Sequence, residues 1–254
     1  ELVSSIGSTK ALRNGEADAM IAGSVFDALT EFKDWQGAKV CVALSQGTPW
    51  LLTVRADLPA TRGDVQALRG MTFTAAEGPD LAFKQMLRSG GLDPEKDLNI
   101  IDLPGSKDRD VSFGVFAAEA LTEGKIDGYW SNAMGAETAV SRGVGKIHVD
   151  VRRGDDPGDV RFATCAGLVS TDDYIAREPE SVDAAVRAIV KVQKALQADP
   201  SLARKVGEGL FPPEAANLIA TIVERDAPFY DPAMPEETVR RMNEFAHSVD
   251  QLSG

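Results

Sequence analysis

Hydrophobic and polar residues along the chain form two kinds of segment: short apolar runs, and longer stretches in which apolar residues recur every three or four positions. The short runs predict buried strands, and the periodic stretches predict amphipathic helices. Glycines end several of the periodic stretches, as expected where a helix stops in the left-handed conformation. The two kinds of segment alternate through the first two thirds of the chain, and this pattern is typical of an α/β fold.

The predicted elements fall into an alternating part followed by a helical part. Strands are predicted at residues 2–5, 19–22, 40–44, 50–55, 71–75, 99–103 and 161–170, with one more after Asp127. Helices are predicted at residues 9–14 and 27–32, from Gly78-Pro79 to Gly90, and at residues 111–123, 181–196, 200–207, 213–225 and 235–249. Their starts carry proline, serine or acidic residues, as helix starts do.

One motif, A-L-x-x-G-x-x-D, occurs at residues 11–18 and again at residues 120–127. In both copies a helix ends at a glycine, the chain passes an aspartate, and a short strand opens into a loop that holds Ser24 or Asn132. In open α/β sheets the loop at the carboxyl end of a strand faces the ligand crevice. The repeat therefore predicts two similar α/β units that face one cleft, although so short a motif can also recur by chance.

Two polar stretches divide the chain. Residues 56–70 are rich in Asp, Pro, Arg and Gly, and residues 151–160 read VRRGDDPGDV. We interpret them as crossings between lobes, so that residues 1–57 begin lobe 1, residues 58–160 form lobe 2, and residues 161–254 return to lobe 1 and add the C-terminal helices. Two crossings imply a hinge and a cleft.

Composition narrows the class of protein. The chain has 254 residues, 43% of them hydrophobic, a net charge of -12 and a pI near 4.7. A globular fold is expected, and the acidic balance disfavours nucleic-acid binding. No apolar run approaches the ~20 residues that cross a bilayer, and no leader precedes residue 1. We therefore expect either a soluble mature chain or a trimmed one, and the trimmed chain is favoured because residues 1–3 already read as the start of a strand.

The two cysteines, Cys41 and Cys165, lie in the apolar runs VCVAL and FATCAGL. The expected state is two buried thiols that act as small hydrophobic side chains. A disulfide remains the alternative, if the two runs pair in one sheet. Neither cysteine has the CxxC spacing of a metal site.

Catalytic signatures are absent from the sequence. His148 and His247 have no serine, cysteine or carboxylate signature beside them, so both are interpreted as structural or surface histidines. No glycine-rich phosphate loop and no carboxylates at metal-ligand spacing occur, and DDPGD is expected to be a solvated loop. We therefore predict no catalytic residue, no metal site and no cofactor.

Binding is better supported than catalysis. Backbone N–H groups at the helix starts near Ser8 and Gly78 could hold an anionic group. Trp130 would offer a flat apolar wall, or would instead be a core tryptophan. One interpretation of Glu77 is that its carboxylate only interacts favourably with the positive end of the helix dipole. If it lies in a cleft instead, it would suit a ligand with an amine or another hydrogen-bond donor.

Three further residues would supply orienting hydrogen bonds in such a cleft: Ser24, Thr48 and Asn132. For Ser24 and Thr48 ordinary turn chemistry is the alternative.

Four segments carry a family resemblance: GEADAMIAGS, LRGMTFTAAEGP, GGLDPEKDLNII and ALTEGKIDGYWSN. With them the chain resembles type II periplasmic solute-binding proteins, and more narrowly the aliphatic-sulfonate, taurine and nitrate branch, which also binds thiamine-pyrimidine precursors and aromatic carboxylates. The resemblance implies two α/β lobes, joined by two hinge strands, that close on a small molecule. It places these residues around the cleft: Ser5, Gly7, Ser24, Val25, Thr48, Glu77, Gly78, Trp130 and Asn132.

The function that the resemblance implies is transport. The chain would bind a small organic ligand, anionic, zwitterionic or aromatic, and deliver it to an ABC transporter permease as a monomer in the periplasm or another extracytoplasmic space. One alternative is a pyrimidine-precursor biosynthesis enzyme of the same fold, although such enzymes carry a cysteine-rich motif that is not found here. The other alternative is a ligand-sensing regulatory domain.

Overall fold

A computed structural model describes residues 8–106, 112–158 and 160–252. Eight strands are defined in these ranges: β1 (Ala19–Ala22), β2 (Ala38–Ser45), β3 (Leu51–Arg55), β4 (Thr72–Ala75), β5 (Asn99–Ile100), β6 (Gly128–Ser131), β7 (Gly145–Asp150) and β8 (Ala166–Thr171). The α-helices there are α1 (Ser8–Arg13), α2 (Val25–Thr30), α3 (Asp80–Ser89), α4 (Phe113–Thr122), α5 (Ala133–Ser141), α6 (Asp172–Arg177), α7 (Pro179–Ala198), α8 (Leu202–Gly207), α9 (Pro213–Asp226) and α10 (Glu236–Ser248). The predicted α/β class is confirmed. The predicted strand at residues 2–5 lies outside the described residues.

The chain divides into two compact units. Unit 1 comprises Glu1–Pro49, Phe162–Val206 and Val223–Gly254, and unit 2 comprises Trp50–Arg161 and Gly207–Ile222. The first division thus lies between Pro49 and Trp50, and not between residues 57 and 58 as the sequence suggested. The physical reason is that β3 pairs with β6 on one side and β7 on the other, so it belongs to the unit 2 sheet.

Unit 1 is built on a three-stranded sheet in the order β1-β8-β2, with β8 antiparallel to both neighbours. Phe26 of α2 makes edge-to-face ring contacts with Trp35 and with Phe245 of α10. The amide Nε2 of Gln193, in α7, donates to the carbonyls of Ala43 and Leu44. This buried amide ties the long helix to β2 at a register shift in the strand.

Unit 2 is built on a five-stranded sheet in the order β5-β4-β6-β3-β7. Strand β4 runs parallel to β5 and β6, and β3 runs antiparallel to β6 and β7. Helices α4 and α5 bury small side chains against the ring of Tyr129, in a cluster that includes Ala117, Leu121 and Ala139. The β-α-β order therefore brings the ends of β4, β6 and β7 to one edge of the sheet.

The repeated motif ends a helix and leads into a strand in both units. Gly15 and Gly124 have φ values of 73° and 70°, so each ends its helix in the left-handed conformation. The aspartate that follows bonds to a neighbouring strand in each copy, although through different atoms. The backbone carbonyl of Asp18 accepts from Ser170 Oγ of β8 at 2.7 Å, and the carboxylate Oδ2 of Asp127 accepts from the Thr72 N–H of β4 at 2.8 Å. The motif is thus a helix-to-strand connection.

Of the helices in the described ranges, none combines the length and the apolar character that a bilayer crossing requires.

Candidate functional site

The strand ends of unit 2 form one continuous edge. Ala75, the last residue of β4, pairs with Trp130, and Leu51 at the start of β3 pairs with both Ser131 and Asp150. We call this row of strand ends the carboxyl edge of unit 2. The loops that leave it carry residues 76–79 and Asn132, so the sheet register brings these predicted site residues to neighbouring strands.

The start of α3 is occupied by a carboxylate of the protein itself. Gly78 has a φ of 92°, and its N–H donates to Asp80 Oδ1 at 3.1 Å. The other oxygen, Asp80 Oδ2, accepts from Lys84 Nζ at 2.8 Å. Pro79 precedes the first residue of the helix, one position earlier than predicted. The Gly78 N–H that was expected to hold a ligand anion is therefore already bonded, and the side chain of Glu77 beside it is exposed.

Asn132 joins two helix starts at this edge. Its Oδ1 accepts from the Gly135 N–H at 3.1 Å and caps α5, while its Nδ2 donates to Ser112 Oγ at 3.0 Å, just before α4. The two helices approach closely because Gly114 and Gly135 face each other: a Cβ on Gly135 would lie 2.5 Å from Gly114 Cα. Asn132 is consequently held in a fixed orientation.

Trp130 has the environment of a core tryptophan. Its side chain is 0% exposed and stacks on Phe83 of α3, with ring centroids 5.9 Å apart and an interplanar angle of 16°. Phe83 in turn contacts Phe73 of β4. Within the described part of the chain the indole Nε1 has no hydrogen-bond partner. The alternative interpretation of Trp130, core packing beneath the edge, fits this geometry better than a ligand wall.

A buried ion cluster at the end of β7 was missed by the sequence interpretation. Asp150 is 1% exposed and Arg152 is 3% exposed. Asp150 accepts from Arg152 Nε and Arg153 Nε, both at 3.3 Å, and its own N–H donates to Asp155 Oδ2 at 2.9 Å. Asp155 also pairs with Arg62. The signal available in the sequence is VRRGDD, which by itself is interpreted only as part of a crossing between lobes.

Two predicted residues of unit 1 lie where β1 ends. Ser24 caps α2 by accepting from the Asp27 N–H at 3.2 Å, and its Oγ lies 3.0 Å from Thr164 Oγ1, just before β8. Val25 is fully buried, and its N–H donates to the Cys165 carbonyl at 2.9 Å. The side chain of Val25 therefore packs in the core.

The remaining predicted residues are Thr48, Ser5 and Gly7. Thr48 follows β2 and is fully buried. Ser5 and Gly7 lie outside the described residues, so their assignment rests on the resemblance alone.

Both cysteines are free thiols. Burial raises the pKa of Cys165 to about 12, and its Sγ contacts Met234 Sδ at 3.7 Å. Burial also raises the pKa of the half-buried Cys41. The disulfide alternative is therefore not adopted, and a thiol held protonated in this way is a poor nucleophile.

The histidines have backbone partners. His148 is 1% exposed and its Nε2 lies 3.0 Å from the Asp64 carbonyl, while His247 Nδ1 lies 2.9 Å from the Leu252 carbonyl at the surface. In the ranges that the structure describes, no three His, Cys, Asp or Glu side chains are grouped as metal ligands.

Comparison with known proteins gives a consistent result. The sequence model of the NMT1-like family matches residues 51–210. The periplasmic aliphatic sulphonate binding protein SsuA from Escherichia coli superposes with a TM-score of 0.74 at 14% identity, over 99% of this chain and 76% of that one. The alkanesulfonate-binding protein SsuA from Xanthomonas axonopodis pv. citri, bound to MOPS, gives 0.70 at 14% identity, over 99% and 82%.

A third similar structure is that of a nitrate-binding protein. The periplasmic nitrate-binding protein NrtA from Synechocystis PCC 6803 gives a TM-score of 0.60 at 13% identity, over 84% of this chain and 59% of that one. A comparison with curated protein sequences gave no match. The TM-scores show a common fold, and together with the family match they confirm the resemblance inferred from the sequence.

Proposed function

Because the chain belongs to the NMT1-like family, we propose that it is the solute-binding component of an ABC-type importer and that it binds a small organic ligand. Three of the proteins that share its fold are periplasmic binding proteins for sulfonates and nitrate, which supports a solute-binding role and an extracytoplasmic location. Its partners would then be the ligand and a membrane permease.

The observation that carries the proposal is the carboxyl edge of unit 2. Parallel strands β4 and β6 end side by side, and the loops after them present Glu77 and Asn132. Hydrogen bonds fix both loops, through Asp80 in one and Ser112 in the other. Polar groups held rigidly at strand ends are the arrangement by which open α/β sheets bind small molecules.

The charges at this edge indicate the chemistry of the ligand. The exposed carboxylate of Glu77 stands beside a helix start that the Asp80 carboxylate already occupies. A bare anion such as nitrate would be repelled there, while an amine or amide would find an acceptor. We therefore propose a ligand that carries a hydrogen-bond donor, in a zwitterionic or amino-substituted aromatic compound.

Binding without conversion is part of the proposal. Asn132 caps a helix, Trp130 packs in the core, and the Cys165 thiol is buried with a pKa of about 12. Each of these groups thus has a structural role, and none is placed as an activated nucleophile or base.

A thermal-shift screen of the purified protein tests this function. The compounds are taurine, alkanesulfonates, nitrate, aminopyrimidines, aromatic carboxylates and amino acids. A ligand at one hundred times its Kd should stabilise the fold by about 2.7 kcal/mol, or about 5 to 10 °C in Tm for a chain of this size. We expect a shift with a donor-bearing organic compound and none with nitrate. A response to nitrate alone would refute the proposed ligand chemistry, and a flat response to all the compounds would contradict the proposed function.

A further inference from the structure

The peptide that joins Asn14 to Gly15 lies at the end of α1, in the first copy of the repeated motif. Both residues are exposed, and a Cβ added to Gly15 would have no atom within 4 Å. The side chain of Asn14 makes no hydrogen bond to another described residue. An unrestrained side-chain amide therefore lies next to a backbone nitrogen whose own residue carries no side chain.

This pair of groups can react with each other. The backbone nitrogen of Gly15 attacks the carbonyl carbon Cγ of Asn14, so that a C–N bond forms and the side-chain nitrogen leaves as ammonia with the proton of the Gly15 amide. Water then opens the cyclic imide. Hydrolysis at Cγ gives aspartate, and hydrolysis at the backbone carbonyl gives isoaspartate. Glycine favours the attack because it has no Cβ to obstruct the nitrogen and moves freely in φ and ψ.

The end of α1 must open before the nitrogen can attack. The Gly15 N–H donates to the Leu12 carbonyl at 3.2 Å. The Glu16 N–H donates to the Ala11 carbonyl at 2.9 Å, which completes a glycine-ended helix terminus. Helix α1 has only six residues, and both short helices and helix ends open at little cost. These bonds therefore slow the attack only slightly.

The other asparagines of the chain are held or placed differently. The amide of Asn99 donates to Thr72 Oγ1, and both ends of the Asn132 amide are bonded. Asn217 and Asn243 lie inside the long helices α9 and α10. None of the four is followed by glycine.

The second copy of the motif offers a matched comparison, because Asp127-Gly128 can form the same imide. There the carboxylate of Asp127 accepts from the Thr72 N–H at 2.8 Å and pairs with Arg55 at 3.3 Å. Gly128 is buried in β6, where an added Cβ would lie 2.5 Å from the ring of Phe73. Strand pairing and these bonds hold the second site in place, whereas the first site is exposed.

We propose that Asn14-Gly15 is a site of spontaneous deamidation, which converts Asn14 into aspartate and isoaspartate. Aspartate is compatible with the helix end, because Glu123 occupies the equivalent position before Gly124. Isoaspartate adds one carbon to the backbone, so the N–H groups of Gly15 and Glu16 lose their alignment with the last turn of α1. The modification therefore loosens the connection from α1 to β1, and it is independent of the proposed function.

Peptide mapping by mass spectrometry tests the proposal on the folded protein incubated at pH 8. The samples are the wild type, Asn14→Gln and a synthetic peptide of residues 8–18, which gives the rate in a chain without the fold. Asn14→Gln is the control, because it keeps the amide but can cyclise only to a larger, less readily formed ring. Isoaspartate is detected by its methylation with an isoaspartyl methyltransferase.

We expect Asn14 in the folded protein to deamidate at a rate within about 10-fold of the rate in the peptide, because a helix end opens at a cost near zero. Peptides that contain Asn217 or Asn243 should remain unmodified over the same period, and the Asp127 peptide should contain no isoaspartate. Asn14→Gln should give no methylation signal. Hydrogen exchange at residues 15–17 should be faster in the aged wild type than in the fresh protein.

Three results would contradict this inference. A rate below about one hundredth of the peptide's would show that α1 protects Asn14. Equal deamidation at Asn243 would show that the glycine and the open helix end are not what selects the site. Unchanged hydrogen exchange in a sample rich in isoaspartate would refute the loosening of the helix end. None of these results concerns ligand binding, so the proposed function is tested separately.

Discussion

Replacing Gly135 with alanine probes the contact that holds the carboxyl edge of unit 2 together. Gly135 lies in α5 without a positive φ, so the backbone itself accepts alanine. At an open helix position this change would stabilise the fold by about 0.5–1 kcal/mol, because glycine is a poor helix former. Here the added Cβ would lie 2.5 Å from Gly114 Cα and 2.6 Å from its carbonyl oxygen. These backbone atoms belong to a neighbouring helix, so they cannot move aside as the end of a flexible side chain can.

Gly135→Ala is therefore expected to destabilise the fold, whereas the same change at an open helix position would stabilise it. Overpacking of this kind costs about 1–3 kcal/mol, so Gly135→Ala should lower the free energy of unfolding by about that amount. The helices must separate, and the bond from Asn132 to Ser112 lengthens with them. Urea unfolding followed by circular dichroism measures the loss. Ser141→Ala, an exposed position in the same helix, is the control and should stay within about 0.5 kcal/mol of wild type. A Gly135→Ala protein more stable than wild type would refute the close approach of α4 and α5.

Three further predictions concern buried groups. Asp150→Ala removes a carboxylate that pairs with the buried guanidinium of Arg152, so the free energy of unfolding should fall by about 3–5 kcal/mol in a urea titration. A loss below about 1 kcal/mol would show that the cluster is solvated. Cys165, with its pKa raised to about 12, should not react with Ellman's reagent at pH 8 until the protein is unfolded, and rapid reaction of both thiols in the folded protein would contradict its burial. The raised pKa of Cys165 also makes stability depend on pH. Because the thiol ionises at lower pH in the unfolded chain than in the folded protein, the free energy of unfolding should fall as pH rises from about 9 towards 12. Urea titrations across that pH range measure the fall.

Local features of the fold were accessible from the sequence because they depend on neighbouring residues. The glycine stops at Gly15 and Gly124 predict helix ends, since only glycine takes a positive φ cheaply. The apolar run around Val40 predicts a strand that the structure extends to Ala38–Ser45. The sequence predicts a long helix at residues 181–196, and α7 is observed at Pro179–Ala198.

Features that depend on strand pairing could not be predicted from the sequence. The sequence cannot show that Leu51 pairs with both Ser131 and Asp150, and this register is what assigns β3 to unit 2. The contact between Ser24 and Thr164 likewise joins residues that are 140 positions apart in the sequence. The approach of Gly114 to Gly135 also joins positions on different helices.

The candidate site was predicted in part. Glu77 and Asn132 were selected from loops after strands, and the sheet brings these loops to one edge. Trp130 and Val25 were selected with them, although both side chains are buried in the core. Residues at a strand end point either into the core or towards the edge of the sheet. In a strand of four residues, the alternation of hydrophobic and polar positions is too short to distinguish the two groups.

The central claim is that a donor-bearing organic ligand binds at the carboxyl edge of unit 2, beside Glu77. Calorimetric titration of the best compound from the thermal-shift screen, with the wild type, Glu77→Gln and Glu123→Gln, tests it most directly. Glu123 is the matched control, because it is an exposed glutamate at the far end of α4. Since a hydrogen bond to a charged group contributes about 1.5–3 kcal/mol, Glu77→Gln should weaken binding about 10-fold or more, while Glu123→Gln leaves it within about 2-fold. Equal affinity of the wild type and Glu77→Gln would contradict the account.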